Sequence, residues 1–226
     1  MMQWLKLTLH FPSFFSYRIP DYSSQYALGV PLPSPSTLKL GVVSTAIRST
    51  GKVSEGEKVF GAVKNAEICI IPPERVVINS FLIKRLKNKK GGLELIPTFG
   101  IRDYVFFSDD IEVFVGNENI NSVAEYFNKI NYIGSSDSIA YIKSIKTENP
   151  SKNVIKAVNI DEFSDAAAKE SYLVYPVKDI NKDTTFVQIN PYSGKSSRKI
   201  LDQKYYLIKA KVRKGKNWKI LDIQTN

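Results

Sequence analysis

Pro12, Pro20, Pro31, Pro33 and Pro35 punctuate one stretch of this chain and leave residues 12–35 no route to regular helix. The stretch reads as a long ordered loop with aromatic residues set among Ser and Arg, and loops of that length inside a compact domain are usually functional. Its flanks are better defined. Upstream, residues 3–11 alternate. Leu5, Leu7, Leu9 and Phe11 face one way and Trp4, Lys6, Thr8 and His10 the other, the period of a half-buried strand. Downstream, Leu38, Val42, Ala46 and Ile47, with Val43 beside them, follow helical spacing. Ser34 and Ser36 both suit an N-cap, and Gly51 supplies a stop.

Residues 66–71 (AEICII) predict a short buried strand ended by Pro72 and Pro73. Residues 75–86 and 93–107 are strand-forming runs joined by the basic turn KRLKNKKGG, so the pair predicts a long hairpin with a charged tip. Residues 111–115 predict a strand. Residues 120–130 predict a short helix with Val123, Ala124, Phe127 and Ile130 inward, and a strand through Ile139 and Tyr141 follows the turn at Gly134. This order predicts an α+β fold, a ferredoxin-like βαββαβ unit with an elaborated hairpin. Residues 147–170 read as a polar linker or peripheral segment. SYLVYPV, TTFVQI, KYYLIKAKV and NWKILDI then read as short strands. The expected division is a domain over 1–147, with its hairpin at about 75–107, and a β-rich part over 148–226.

The charge balance narrows the function. There are 32 Lys or Arg against 22 Asp or Glu, a formal net charge of +10. Residues 1–60 carry net +3, 61–107 net +4, 108–170 net −5 and 171–226 net +8, which favours one basic face over a uniform coat. Such a face suits an acidic partner such as nucleic acid; a solvated Lys-rich surface is the plainer alternative. One Cys (Cys69) and one His (His10) exclude an internal disulfide and a His/Cys zinc cluster. No apolar run approaches the roughly 20 residues that span a bilayer, and the first residues do not have the form of a signal peptide. A soluble, cytoplasmic protein with no membrane partner and no cofactor is expected.

The segment FPSFFSYRIPDYSSQYALGVPLPSPSTLKLG ends in the form Y-x-L-x-x-P-L-P-x-P-S-T-L-x-x-G immediately before the predicted helix. It resembles the N-terminal signature of the CRISPR-associated RAMP proteins of the Cas-five group. FGIRDYVFFSDDIEVFV and YFNKINYIGSSDSIAYIKS resemble later stretches of the same group. The resemblance covers about residues 1–145. Within the group, size and sparse His look most like the archaeal type I-A form. The resemblance implies a RAMP fold with an RRM-like sheet and a protruding thumb hairpin. It also implies a role as a non-catalytic Cascade subunit that grips the 5′ handle of the CRISPR RNA and seats the large subunit and the first backbone subunit. Target DNA would be met only indirectly.

Residue chemistry supplies candidates for that role. The first N–H groups of a helix lack intrahelical partners, so the helix start with Ser34, Ser36, Thr37 and Lys39 suits a phosphate; an ordinary cap is the plain alternative. Arg48, further along the same helix, joins this set. In the loop, Tyr17, Arg18, Tyr22 and Tyr26 offer planes on which splayed bases stack. Tyr26 and Phe15 suit anchoring of the loop better, and Arg18 suits RNA better. Arg102 and Tyr104 share a strand face, with Asp103 turned away; cross-strand pairing is their alternative use. The turn at Gly134, Ser135 and Ser136 offers backbone N–H groups to a phosphate. The hairpin cations Lys84, Arg85, Lys87, Lys89 and Lys90 are candidates for RNA or subunit contact. Lys209, Lys211, Arg213, Lys214, Lys216 and Lys219 form a further basic run, for which a solvated edge strand is the plain reading.

Catalysis is not expected. Metal-free RNA cleavage needs a base for the 2′-OH and an acid for the leaving oxygen, and His10 is the only imidazole. Asp109 and Asp110 are adjacent, so on a strand their carboxylates diverge and do not converge on a metal. The alternatives left open are a metal-independent endoribonuclease processing repeat RNA and a free-standing single-stranded RNA-binding module.

Overall fold

A computed structural model describes residues 2–19, 26–163, 172–190, 193 and 200–224. Strand β1 (Gln3–His10) alternates as its sequence dictates, with Leu5, Leu7 and Leu9 buried. After the Pro-rich loop and a two-residue strand β2 (Tyr26–Ala27) comes helix α1 (Pro35–Thr50). Pro35 occupies the first turn, where a missing N–H loses no bond. Ser34 is the cap, its Oγ accepting from the Thr37 N–H at 3.3 Å. Gly51 ends the helix at φ 68°, a left-handed conformation that suits glycine, and its N–H donates to the Ile47 carbonyl at 2.7 Å. Helix α2 (Val53–Val63) was not anticipated. It starts at Lys52 without a side-chain cap, and its signal is confined to Val59, Phe60 and Val63, all buried.

The chain continues through β3 (Glu67–Ile71), β4 (Arg75–Asn88), β5 (Leu95–Phe107) and β6 (Ile111–Asn117). A 3-10 turn (Ile120–Val123) then leads into α3 (Ala124–Phe127), followed by β7 (Tyr141–Thr147) and β8 (Ile155–Lys156). One sheet has the order β7-β1-β6-β3-β8, every neighbour antiparallel. Leu7, Leu9, Ile68, Val113 and Val115 on one face of it meet Leu38 of α1, Val63 of α2 and Phe127 of α3.

The rest of the chain gives β9 (Leu173–Ile180), α4 (Phe186–Ile189), β10 (Leu201–Ile208), β11 (Ala210–Lys214) and β12 (Trp218–Ile223). TTFVQI is thus a short helix and not the expected strand. Thr185 and Gln188 form a reciprocal capping box, the Thr185 N–H donating to Gln188 Oε1 at 2.7 Å. Strands β9 and β10 pair as a ribbon, and β9 packs on α1. Tyr206 of β10 is fully buried, and its hydroxyl donates to the Pro33 carbonyl at 2.9 Å, which ties the ribbon to the residues ahead of α1. The second sheet has the order β11-β12-β4-β5-β2. In it β12 pairs with the base of β4 from Trp218↔Asn79 to Asp222↔Arg75. Among the described residues no helix is long and apolar enough to cross a membrane.

Candidate nucleic-acid interface

Strands β4 and β5 pair continuously from Val76↔Phe107 to Asn88↔Leu95, the long hairpin the sequence predicts. Successive side chains on a strand point to opposite faces, so this register sorts the hairpin into two. One face carries Val76, Ile78 and Val105 into the core, and further out Leu82, Ile101, Lys84, Phe99 and Leu86. The other carries Tyr104, Phe81, Arg102, Arg85 and Lys87. Asp103 turns inward, 3% exposed. Its carboxylate accepts from Ser80 Oγ at 2.6 Å and from the Gly29 N–H at 3.0 Å. That second bond, with the parallel pairing Tyr26↔Ile101 and Ala27↔Arg102, fastens the end of the Pro-rich loop to β5.

The start of that loop is fastened too. Phe15 is fully buried and bridges Val105, and Arg18 bridges Gly29. Arg18 is thereby brought to the hairpin. Together with Arg85, Lys87 and Arg102, and with the apolar Ile83, Leu86, Phe99 and Ile101 between them, it lines a groove of about 600 Å³. Arg102 also pairs with Asp137 at 3.2 Å. Beside Arg102 lies an aromatic patch: Tyr104 packs edge-on against Phe14 (ring centroids 4.5 Å) and Phe81 (5.4 Å). Phe81 is 47% exposed. Phe14 and Phe81 escaped the sequence reasoning; the register that sets Phe81 opposite Arg102 is what exposes their place. Clustered cations next to exposed aromatic faces can neutralise phosphates and stack bases, the chemistry of a single-stranded nucleic acid.

Other candidates lie elsewhere. The helix start is closed: Ser34, Ser36, Thr37 and Lys39 are all buried. Ser34 Oγ bonds Ser36 Oγ at 3.1 Å and Thr37 Oγ1 at 2.6 Å. The expectation that Lys39 adds charge for a phosphate is corrected. Its ammonium points inward, donating to Asp179 at 2.8 Å and to the Lys64 carbonyl at 3.1 Å. Burial pushes its pKa below the ordinary lysine value, and Asp179 offsets part of that shift.

The offer of a Ser135 N–H to phosphate is also corrected, because that N–H donates to the Ser16 carbonyl at 3.0 Å. Ser138 Oγ accepts from the Ser16 N–H at 2.8 Å, so this turn clasps the Pro-rich loop. Arg48 lies over the Tyr132 ring at 4.5 Å and donates to Asn131 Oδ1 at 2.9 Å, away from the groove lining. Tyr17 packs against the core from a half-buried position. Lys84 points to the hairpin face opposite Arg85, and Lys89 pairs with Glu94 across the turn at 3.0 Å. Lys90 lies exposed in the same turn. Tyr22 lies outside the described residues.

His10 Nδ1 lies 2.7 Å from Asp110 Oδ1, and Lys143 bonds the same carboxylate at 3.0 Å. Burial of Asp110 works against its ionisation, but these two partners hold its pKa below the usual carboxylate range. The cluster belongs to the other sheet and contributes nothing to the groove lining. Cys69 is buried, which pushes its thiol up to about 12. Among the described residues no three His, Cys, Asp or Glu side chains gather as a metal would need.

No protein-family model matches the chain. Among curated proteins it is 61% identical over 227 residues to the CRISPR-associated protein Cas5 of Archaeoglobus fulgidus, covering 99% of this chain and 100% of that one. A crystal structure of a CRISPR protein from Archaeoglobus fulgidus aligns at TM-score 0.49 with 11% identity, over 99% of this chain and 92% of that one. A chain of a CRISPR RNA-guided surveillance complex aligns at TM-score 0.40 with 10% identity, over 92% and 89%.

Proposed function

The chain belongs to the Cas5 family of CRISPR-associated proteins, and from that premise we propose that it is a non-catalytic CRISPR RNA-binding subunit of a type I Cascade complex, of the I-A form. It grips the 5′ handle of the guide RNA and seats the large subunit and the first backbone subunit. The observation that carries this reading is the groove: Arg18 comes from a loop far ahead of Arg85, Lys87 and Arg102 in the chain, yet all four line one channel. Tyr104, Phe14 and Phe81 supply the stacking faces beside it.

The fold supports the reading. Through residue 147 the sheet order β7-β1-β6-β3 suits a ferredoxin-like βαββαβ unit with the β4–β5 hairpin, as a thumb, inserted between the second and third strands. Residues 148–226 are a β-rich second part whose strands extend both sheets. Ser34, Ser36, Thr37 and Lys39 build the platform beneath the loop, and the RNA contacts fall to Arg18, Arg85, Lys87, Arg102 and Tyr104.

The test is fluorescence anisotropy of the purified protein with RNA of the repeat-derived 5′ handle. Binding that exceeds a scrambled RNA, and co-purification with backbone and large subunits, is expected; equal or no binding overturns the reading. The His10–Asp110 pair gives a second reading, a metal-independent endoribonuclease, its own observation. Site-specific cleavage of repeat RNA in EDTA, abolished by His10→Ala, would replace the first reading with the second.

A further inference from the structure

Behind the Pro-rich loop lies a second cavity, of about 260 Å³, lined by Tyr17, Ser36, Thr37, Gly41, Ser44 and Tyr132. Tyr17 and Arg18 are consecutive in an extended segment, so their side chains leave the backbone on opposite sides. Arg18 lines the cationic groove and Tyr17 lines this cleft.

The cleft is partly aromatic, with Tyr17 and Tyr132 both in its lining. Tyr132 is held by the Arg48 guanidinium, 4.5 Å from its centroid, and Arg48 is fixed in turn by Asn131 Oδ1 at 2.9 Å and Thr45 Oγ1 at 3.2 Å. Gly41 leaves the helix side open, since a Cβ there would meet nothing nearer than Ile133 at 3.9 Å. On the helix wall Ser44 offers a hydroxyl able to donate to or accept from a heterocycle edge, whereas the Ser36 and Thr37 hydroxyls are already bonded to Ser34. The Gly134 turn closes one end and is clasped to the loop through Ser16.

We infer that this cleft takes a single unstacked base of the RNA strand whose phosphates lie along Arg18. The inference rests on the RNA-binding reading above and deepens it. A strand running along the groove turns one nucleotide over the 15–18 segment and sets its base against the tyrosines of the cleft, while its neighbours stay on the groove side. An aromatic platform accepts any base face, and the Ser44 hydroxyl adds preference at the edge.

The experiment is an abasic scan on the full-length protein. Single-stranded RNA of the handle sequence, labelled at its 3′ end, is compared with versions that each lack one base. Wild-type protein is expected to lose roughly tenfold in affinity at one position, the factor that one stacked base supplies. Tyr132→Ala should weaken the intact RNA by a similar factor and show no further loss at that position. Ser44→Phe, which fills the cleft from a half-buried helix position, should do the same with an unchanged melting temperature. A flat scan, or variants that scale every RNA equally, overturns the cleft while the groove reading stands. Failure of wild-type protein to bind the handle at all overturns both.

Discussion

Lys39 donates to Asp179 across 2.8 Å, joining the start of α1 to β9 with a side chain that is 2% exposed. An ammonium so far from water relies on its partner, so the two ends of the pair are unequal. Asp179→Asn strands the charge and should destabilise the fold by about 3 kcal/mol or more, whereas Lys39→Met removes the charge with it and should cost less. Urea unfolding of both variants at neutral pH measures the difference.

The same pair sets a pH dependence. Lys39 already has a pKa below the lysine value because of burial, and loss of Asp179 lowers it further. Between the folded pKa and the unfolded value of 10.5 the unfolded chain holds a proton that the folded chain has released, so stability rises with pH there. The deficit of Asp179→Asn relative to wild type should therefore shrink as pH rises from 7 towards 10. Parallel melting curves across that range check it; a deficit that grows would contradict the assignment.

Asp103 links the hairpin to the loop through Ser80 and Gly29. Asp103→Ala leaves a buried Gly29 N–H without its acceptor, at a cost of about 1–3 kcal/mol. It also releases β2 from β5, so RNA affinity should fall although no groove cation is touched. Anisotropy at a temperature where the variant is still folded separates the two effects.

Gly51 and Gly134 both have positive φ, 68° and 85°. At Gly51 a Cβ meets nothing, so Gly51→Ala should cost only the left-handed penalty, about 1–2 kcal/mol. At Gly134 a Cβ would stand 2.9 Å from Phe15 and from the Ser16 carbonyl, so Gly134→Ala should cost more and loosen the loop that carries Arg18. Thermal melts of the two variants rank them.

Salt dependence reads the groove. Each phosphate contact on a single strand contributes about 0.7 to the slope of log affinity against log salt. Arg85→Ala and Lys87→Ala, which line the groove, should each lower that slope by about this amount. Lys84→Ala, outside the groove lining, should leave it unchanged.

The legible parts of this protein are those where sequence period and local chemistry agree. Leu5, Leu7 and Leu9, the Ser34 cap and the Gly51 stop, and the paired runs of the hairpin all carry their structure in adjacent residues. Asp103 was legible as turning away from Arg102 and Tyr104, because period two requires it. Helix α2 has no cap to announce it, and TTFVQI has strand-like composition but ends its ambiguity in a four-residue capping box. The site was half legible. Arg18, Arg85, Lys87 and Arg102 could be named one by one, but their meeting depends on bridges at Phe15, Arg18 and Gly29 that no local pattern records. Lys39 shows the reverse: a helix-start cation looks available until the ribbon covering it is in place.

The pairing of β12 with β4 has a consequence for synthesis. Residues 218–223 complete the hydrogen bonding of residues 75–79, so that edge of β4 emerges from the ribosome long before its partner exists. At about 5–20 residues per second the wait is on the order of ten seconds. During it, Val77 and its neighbours offer a bare strand edge to any other nascent chain. The hairpin that reaches outward in the finished protein is thus made well before the strand that secures its base.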